Sequence, residues 1–189
     1  GGGFGDLILN GALFFEDFSD KQVSVQRADD SGNLNRFTTN AGSVEVIGTE
    51  FDFVWQPPLE GLTFAGGYTW LPKAKYEELL DSNDSAFQIT GAGNCVIEII
   101  DTEPRCLISS AGKRLEMAPK HSASLRGSYT RPLYNSGINW FVEGDALYLS
   151  KRFDSRDNLT TFDSYHQLDL RAGLQAENWE VLLFVDNVT

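Results

Sequence analysis

Residues 51–70 read FDFVWQPPLEGLTFAGGYTW. Two aromatic-rich arms flank a Pro-Pro-x-x-Gly hinge. Pro57 and Pro58 suit a turn, where no ladder donor is needed, and Gly61 supplies turn freedom. Side chains alternate across a strand. Phe51, Phe53 and Trp55 therefore share one face of the first arm, and Leu62, Phe64, Tyr68 and Trp70 share one face of the second. Such a face lines the core of a soluble sandwich or meets lipid.

The alternation recurs along the chain. Strands are expected at 7–16 (LILNGALFFE), 21–27 (KQVSVQR), 43–56, 62–76, 120–131, 138–153, 165–174 and 179–189. That is about eight strands, several of them ten residues or longer. Ordinary globular strands peak near ~5–6 residues, whereas a tilted membrane-spanning strand needs ~9–11. The connectors alternate too: short DFSD, the polar loop 28–42, short PPLEG, a long irregular stretch at 77–117, short PLYNSG, the polar loop 154–164, short QAEN. Alternating short turns and long loops describe an outer-membrane barrel.

The two faces differ in chemistry. Leu125, Gly127 and Tyr129 oppose Arg126; Trp140, Val142, Gly144, Ala146 and Tyr148 oppose Glu143 and Asp145; Leu168, Leu170, Ala172 and Leu174 oppose Asp169 and Arg171. Glu50 and Asp52 fall on the polar side of their strand. These seven, Glu50, Asp52, Arg126, Glu143, Asp145, Asp169 and Arg171, are the expected lumen-facing wall, because charge stays hydrated or paired inside while lipid meets apolar groups. Trp and Tyr near strand ends suit interface belts. The expected fold is all-β, an antiparallel transmembrane barrel segment. A soluble sheet with one buried face also alternates, so two alternatives stand beside it: a small closed eight-stranded structural or adhesive barrel, and a soluble β-sandwich binding module.

Composition narrows the function. Of 189 residues, 41% are hydrophobic and 22% charged, which excludes disorder by composition. The net charge of −12 argues against nucleic-acid binding, which needs basic stripes. No run nears the ~18 apolar residues of a membrane helix, and a mean hydropathy of −0.25 is ordinary for a barrel. The opening GGGFGDLILNG has no basic n-region and no cleavage site, so no signal peptide is expected within it. Cys95 and Cys106, in turn-rich surroundings, fit a local disulfide. His121 and His166 lack ligand spacing to the cysteines and are expected on strand faces.

No catalytic motif, phosphate loop or metal signature occurs. No enzyme activity, cofactor or metal site is expected. The carboxylate pairs Glu50/Asp52 and Glu143/Asp145 read as wall, and DSNDS at 81–85 as a solvated loop tip. Asn83, Asn158 and Asn187 head glycosylation sequons, which have no meaning in a bacterial protein.

Several segments resemble the barrel of TonB-dependent outer-membrane receptors. Asn40, Gly42, Gly48, Glu50, Gly61, Leu62 and Tyr68 match that family's N-x-G…G-x-E strand, turn and aromatic strand. Ala118, Pro119 and His121 match its A-P-x-H segment. Trp179, Val181, Leu183, Phe184, Val185 and Asn187 match a late strand. The resemblance implies energy-coupled uptake of a scarce nutrient, such as a siderophore, haem, cobalamin or saccharide, across the outer membrane of a Gram-negative bacterium. It implies three partners: outer-membrane lipid, a small-molecule ligand, and a TonB-type energising protein reached through an N-terminal part not in this chain. The plug and the final strands are also missing from the pattern. The expectation is that 1–189 is a partial barrel domain, about eight of the roughly twenty-two strands of such receptors, and that the loop 77–117 helps contact ligand.

Overall fold

A computed structural model gives the fold. It describes residues 3–28, 34–40, 42–78, 80–82, 95–100, 103–156 and 158–189. The strands are β1 (Asp6–Phe18), β2 (Gln22–Ala28), β3 (Leu34–Asn40), β4 (Ser43–Gln56), β5 (Leu62–Glu78), β6 (Leu80–Ser82), β7 (Cys95–Ile100), β8 (Glu103–Ser109), β9 (His121–Pro132), β10 (Asn139–Leu149), β11 (Arg152–Phe153), β12 (Thr161–Phe162), β13 (Tyr165–Gln175) and β14 (Glu180–Val185). Among the described residues there is no helix.

Seven strands form one antiparallel sheet in the order β1-β4-β5-β9-β10-β13-β14. Six of them run from 11 to 17 residues, well beyond the globular mean and long enough to cross a bilayer when tilted. The short turns 57–61, 133–138 and 176–179 lie at one end of the sheet. The connections 19–42, 79–120 and 150–164 lie at the other. Among the described residues β1 pairs only with β4 and β14 only with β13. The sheet is an open arc, and the closed eight-stranded barrel is not formed.

Seven of the about eight expected strands form this sheet. KQVSVQR is not a wall strand. Its alternating residues pair with residues 34–40, from Gln22↔Asn40 to Ala28↔Leu34, as a hairpin inside the first long connection. Asp17 and Phe18 of DFSD end β1, and Ser19 and Asp20 open that connection, so DFSD is not a short turn. Residues 34–40 of the expected loop at 28–42 supply the partner strand. The irregular stretch 77–117 likewise contains a three-stranded sheet, β6-β8-β7.

Glycine opposite aromatic is the local rule of the sheet. The direct cross-strand partners Phe51–Gly11, Phe53–Gly66, Phe64–Gly127, Phe14–Gly48 and Phe141–Gly173 each lay a ring over the space a Cβ would take. Gly48, the glycine of the G-x-E pattern, combines this close approach to Phe14 with a register shift between Ile47 and Thr49. Gly61 closes the 57–61 turn at φ 83°, against the Thr130 carbonyl.

Neither sheet face carries a second layer among the described residues. Leu13 is 82% exposed and Leu183 73%, with many other large apolar side chains open. Among the described residues the buried side chains are Val44, Ala74, Tyr76 and Ser110, at the long-connection end, and Gly48 is buried beneath Phe14. A soluble sandwich buries its aromatic face; this sheet does not.

Candidate functional site: a charged face and the clamp above it

The register sorts the side chains by chemistry. On one face Trp55 pairs with Leu7 and Phe64, Tyr129 with Leu62 and Val142, Trp140 with Leu174, and Leu170 with Gly144 and Val185. This is the apolar face. Near the short turns Trp55 stacks on Phe4 and Phe64, and Trp140 meets Tyr129 edge-on. Near the long connections Tyr68 stacks on His121, its hydroxyl 2.7 Å from Nδ1, and Tyr148 lies 5.0 Å from His166. Both histidines thus sit on this face, as strand residues. Trp140 and Tyr148 lie about eight residues apart, roughly 27 Å along a strand, and less across the bilayer once tilted. That spacing matches the ~25 Å apolar band between aromatic girdles. Above Trp70 the same face turns ionic: Lys73 bonds Glu45 at 2.8 Å and Glu77 at 2.7 Å.

All seven residues read as wall fall on the opposite face. Asp52 accepts from Asn10 Nδ2 at 2.7 Å. Arg126 bonds Glu143 at 2.8 Å and approaches Asp145 at 3.8 Å. Arg171 is the cross-strand partner of Glu143, and Asp169 of Asp145. Asp169 accepts from Gln167 and from the Asn187 amide. Glu50 stands between Ala12 and Thr69. A shallow groove of about 570 Å³ runs over this face, lined by Asp52, Gly67, Arg126, Asp145, Gln167 and Asp169. Five carboxylates face two guanidinium groups, so the surface is acidic. Its groups bind or hydrate a polar surface; none forms a nucleophile–base pair, and no metal-holding group of side chains occurs among the described residues.

At the long-connection end the chain builds a polar cluster that sequence reasoning missed. Lys21 Nζ donates to Glu116 Oε1 at 3.1 Å and to the Tyr76 hydroxyl at 3.0 Å, and Tyr76 donates to Glu116 Oε2 at 2.7 Å. Burial raises the Glu116 carboxyl, but hydrogen bonds from Tyr76, its own backbone and Lys21 outweigh it and hold the group below the ordinary carboxylate value. Val44, Val46 and Leu115 pack around Tyr76. Beside it Asn158 clamps Arg114. Glu116 and Arg114 sit inside the stretch read as irregular, and Asn158 was legible only as a sequon. The one local signal was Pro119, which marks a break before β9.

Cys95 stands opposite Ile108 and Cys106 opposite Ile97 on adjacent strands. Their side chains, and so the expected disulfide, lie outside the described residues, as do residues 83–85 of the DSNDS tip.

A family model for the TonB-dependent receptor-like β-barrel matches residues 2–188. The chain belongs to this family. Among solved structures it is similar to BauA, the ferric preacinetobactin receptor from Acinetobacter baumannii, at 18% identity and a TM-score of 0.58. The likeness covers 96% of this chain and 23% of that one; at this identity it shows the fold. No curated protein sequence matches. In a TonB-dependent receptor-like barrel the short turns, long connections and two-faced strands have a single physical account: strands cross lipid with apolar groups outward, and every interior backbone group is bonded to a neighbour.

Proposed function

We propose that this chain is part of the barrel wall of an outer-membrane receptor that takes up a small-molecule nutrient, driven by a TonB-type protein. The observation that carries the reading is the division of one sheet into an apolar face with two aromatic girdles and an acidic face holding Glu50, Asp52, Arg126, Glu143, Asp145, Asp169 and Arg171. Family membership supports it. On this reading residues 1–189 are one arc of a larger barrel in a Gram-negative outer membrane. The apolar face meets lipid, the acidic face lines the lumen, and the plug and remaining strands belong to the rest of the native polypeptide. The open edges of β1 and β14 support the last point, because lipid does not tolerate unpaired edges.

The role is transport, not catalysis. The connections 19–42, 79–120 and 150–164 sit at the outer mouth, and the stretch 77–117 helps contact ligand. Ferric complexes are the first ligand class to test, since the structural neighbour is a receptor for one; haem, cobalamin and saccharides follow. The test is uptake in a strain deleted for the native gene, using a panel of these compounds with and without an uncoupler of the inner membrane. The reading expects loss of energy-dependent uptake of one class. Unchanged uptake of every class would contradict it.

A further inference from the structure

Above the regular ladders three runs of chain continue side by side: β5 beyond Trp70, the segment 112–120, and the segment 150–158. Backbone bonds join the first two. Leu71 N–H donates to Lys120 O at 2.9 Å, Leu115 N–H to Ala74 O at 2.9 Å, Tyr76 N–H to Lys113 O at 3.0 Å, and Gly112 N–H to Tyr76 O at 2.7 Å. The middle run carries excess chain between Leu115 and Lys120 and takes it up as a bulge. Met117 adopts φ 57° there, and Pro119 has no N–H to leave unpaired. The Arg114 guanidinium closes the bulge, Nε to Ala118 O at 3.2 Å and Nη2 to Leu71 O at 2.8 Å.

The third run is tied at successive levels. Ser150 N–H donates to His121 O at 2.9 Å, and Met117 N–H to Phe153 O at 2.8 Å. At the top the tie is a side chain. The Asn158 backbone is left-handed, φ 56°, and its N–H closes a turn on Ser155 O. Its carboxamide takes the place of a peptide unit: Oδ1 accepts from Arg114 N–H at 2.7 Å, and Nδ2 donates to Arg114 O at 2.8 Å. A primary amide offers the same donor and acceptor as a peptide, so Asn158 adds one more rung to the ladder.

We propose that these three runs form one cooperative unit above the wall, and that Asn158 is the positioning residue that joins the connection 150–164 to the connection 79–120. The two connections then open together or not at all. The β11–β12 hairpin has only two residue pairs of its own, too few to hold without a neighbour. The proposal rests on the receptor reading only for the statement that this end faces outward.

The test is hydrogen exchange read by mass spectrometry on the native polypeptide in detergent, wild type against Asn158→Gly. Glycine adopts the left-handed backbone without strain, so the change removes the carboxamide alone. The informative amides are Leu115 and Tyr76, which bond within the β5 pairing and do not touch Asn158. The proposal expects exchange at these two to rise roughly tenfold, together with the segment 152–162. A rise confined to Arg114 and 152–162 would overturn it. Asn158→Asp keeps the acceptor and loses the donor; it carries the same test, with a smaller rise at Leu115 and Tyr76, should the glycine variant fail to assemble. Loss of the receptor reading in uptake assays would leave this result untouched.

Discussion

The Tyr76 hydroxyl donates to the Glu116 carboxylate at 2.7 Å, and Lys21 reaches both. Three separate parts of the chain meet in this contact: the first long connection, the upper end of β5, and the segment preceding β9. Glu116 is held below its ordinary pKa, so its contribution is fully present above the unfolded carboxylate value near 4.5 and is lost as pH falls through the lower folded value. Hydrogen exchange of segment 110–118 is therefore expected to stay flat from pH 7 to about 5, after correction for intrinsic rates, and to rise below about 4. Burial first, and then the hydrogen bond to Glu116, holds the Tyr76 hydroxyl above its ordinary value, so it stays protonated throughout this window. Glu116→Gln is expected to cost about 1–3 kcal/mol locally and to abolish the acid step.

The Phe53 ring occupies the space above Gly66, and a Cβ there would also press on the Ser124 carbonyl. Gly66→Ala forces a backbone shift as well as a ring shift and is expected to destabilise the folded barrel by about 1–3 kcal/mol. Gly67→Ala, with only ordinary contacts around it, is expected to change stability by less than about 1 kcal/mol. Urea-unfolding midpoints of the native polypeptide in detergent micelles compare the two.

Adjacent residues on β10 separate the faces. Ala146 pairs with Leu125 and Leu168 on the apolar face, Leu147 with Ser124 and Gln167 on the acidic face. Ala146→Arg is expected to cost about 2–4 kcal/mol by placing charge toward lipid. Leu147→Arg is expected to cost clearly less, its guanidinium lying among Asp145 and Gln167 on that face. Yields of heat-modifiable folded barrel in the membrane fraction would show the difference.

Cys95 and Cys106 are proposed to be bonded across the β7–β8 pair. Alkylation of the denatured native polypeptide should label neither until a reductant is added, and reduction should destabilise that connection by roughly 2–4 kcal/mol. Labelling of both without reductant would remove the disulfide from the account.

Much of the wall was legible because strand geometry leaves little choice. A period of two assigns each residue to a face, and burial preference then pins the register. Glu143, Asp145, Asp169 and Arg171 could be grouped from alternation alone. The hairpin β2–β3 was misread because its polar alternation resembles a wall strand, and only the pairing of Gln22 with Asn40 tells them apart. The outer-end cluster was not legible. Its bulge at 116–119 breaks the period, and the Asn158–Arg114 clamp joins residues 44 positions apart through a side chain, for which sequence periodicity has no signature. The pairing of phenylalanines with glycines was visible only as a composition rich in both.

The most direct test of the central claim is lipid contact on the two faces of β10. Single cysteines at Val142, Glu143, Ala146 and Leu147, in a Cys95→Ser/Cys106→Ser background, would carry a nitroxide in reconstituted bilayers. The ratio of collision with oxygen, which concentrates in lipid, to collision with a water-soluble nickel complex would be measured at each. The account predicts strict alternation, with 142 and 146 oxygen-exposed and 143 and 147 nickel-exposed. Uniform access to nickel at all four positions would contradict a membrane wall.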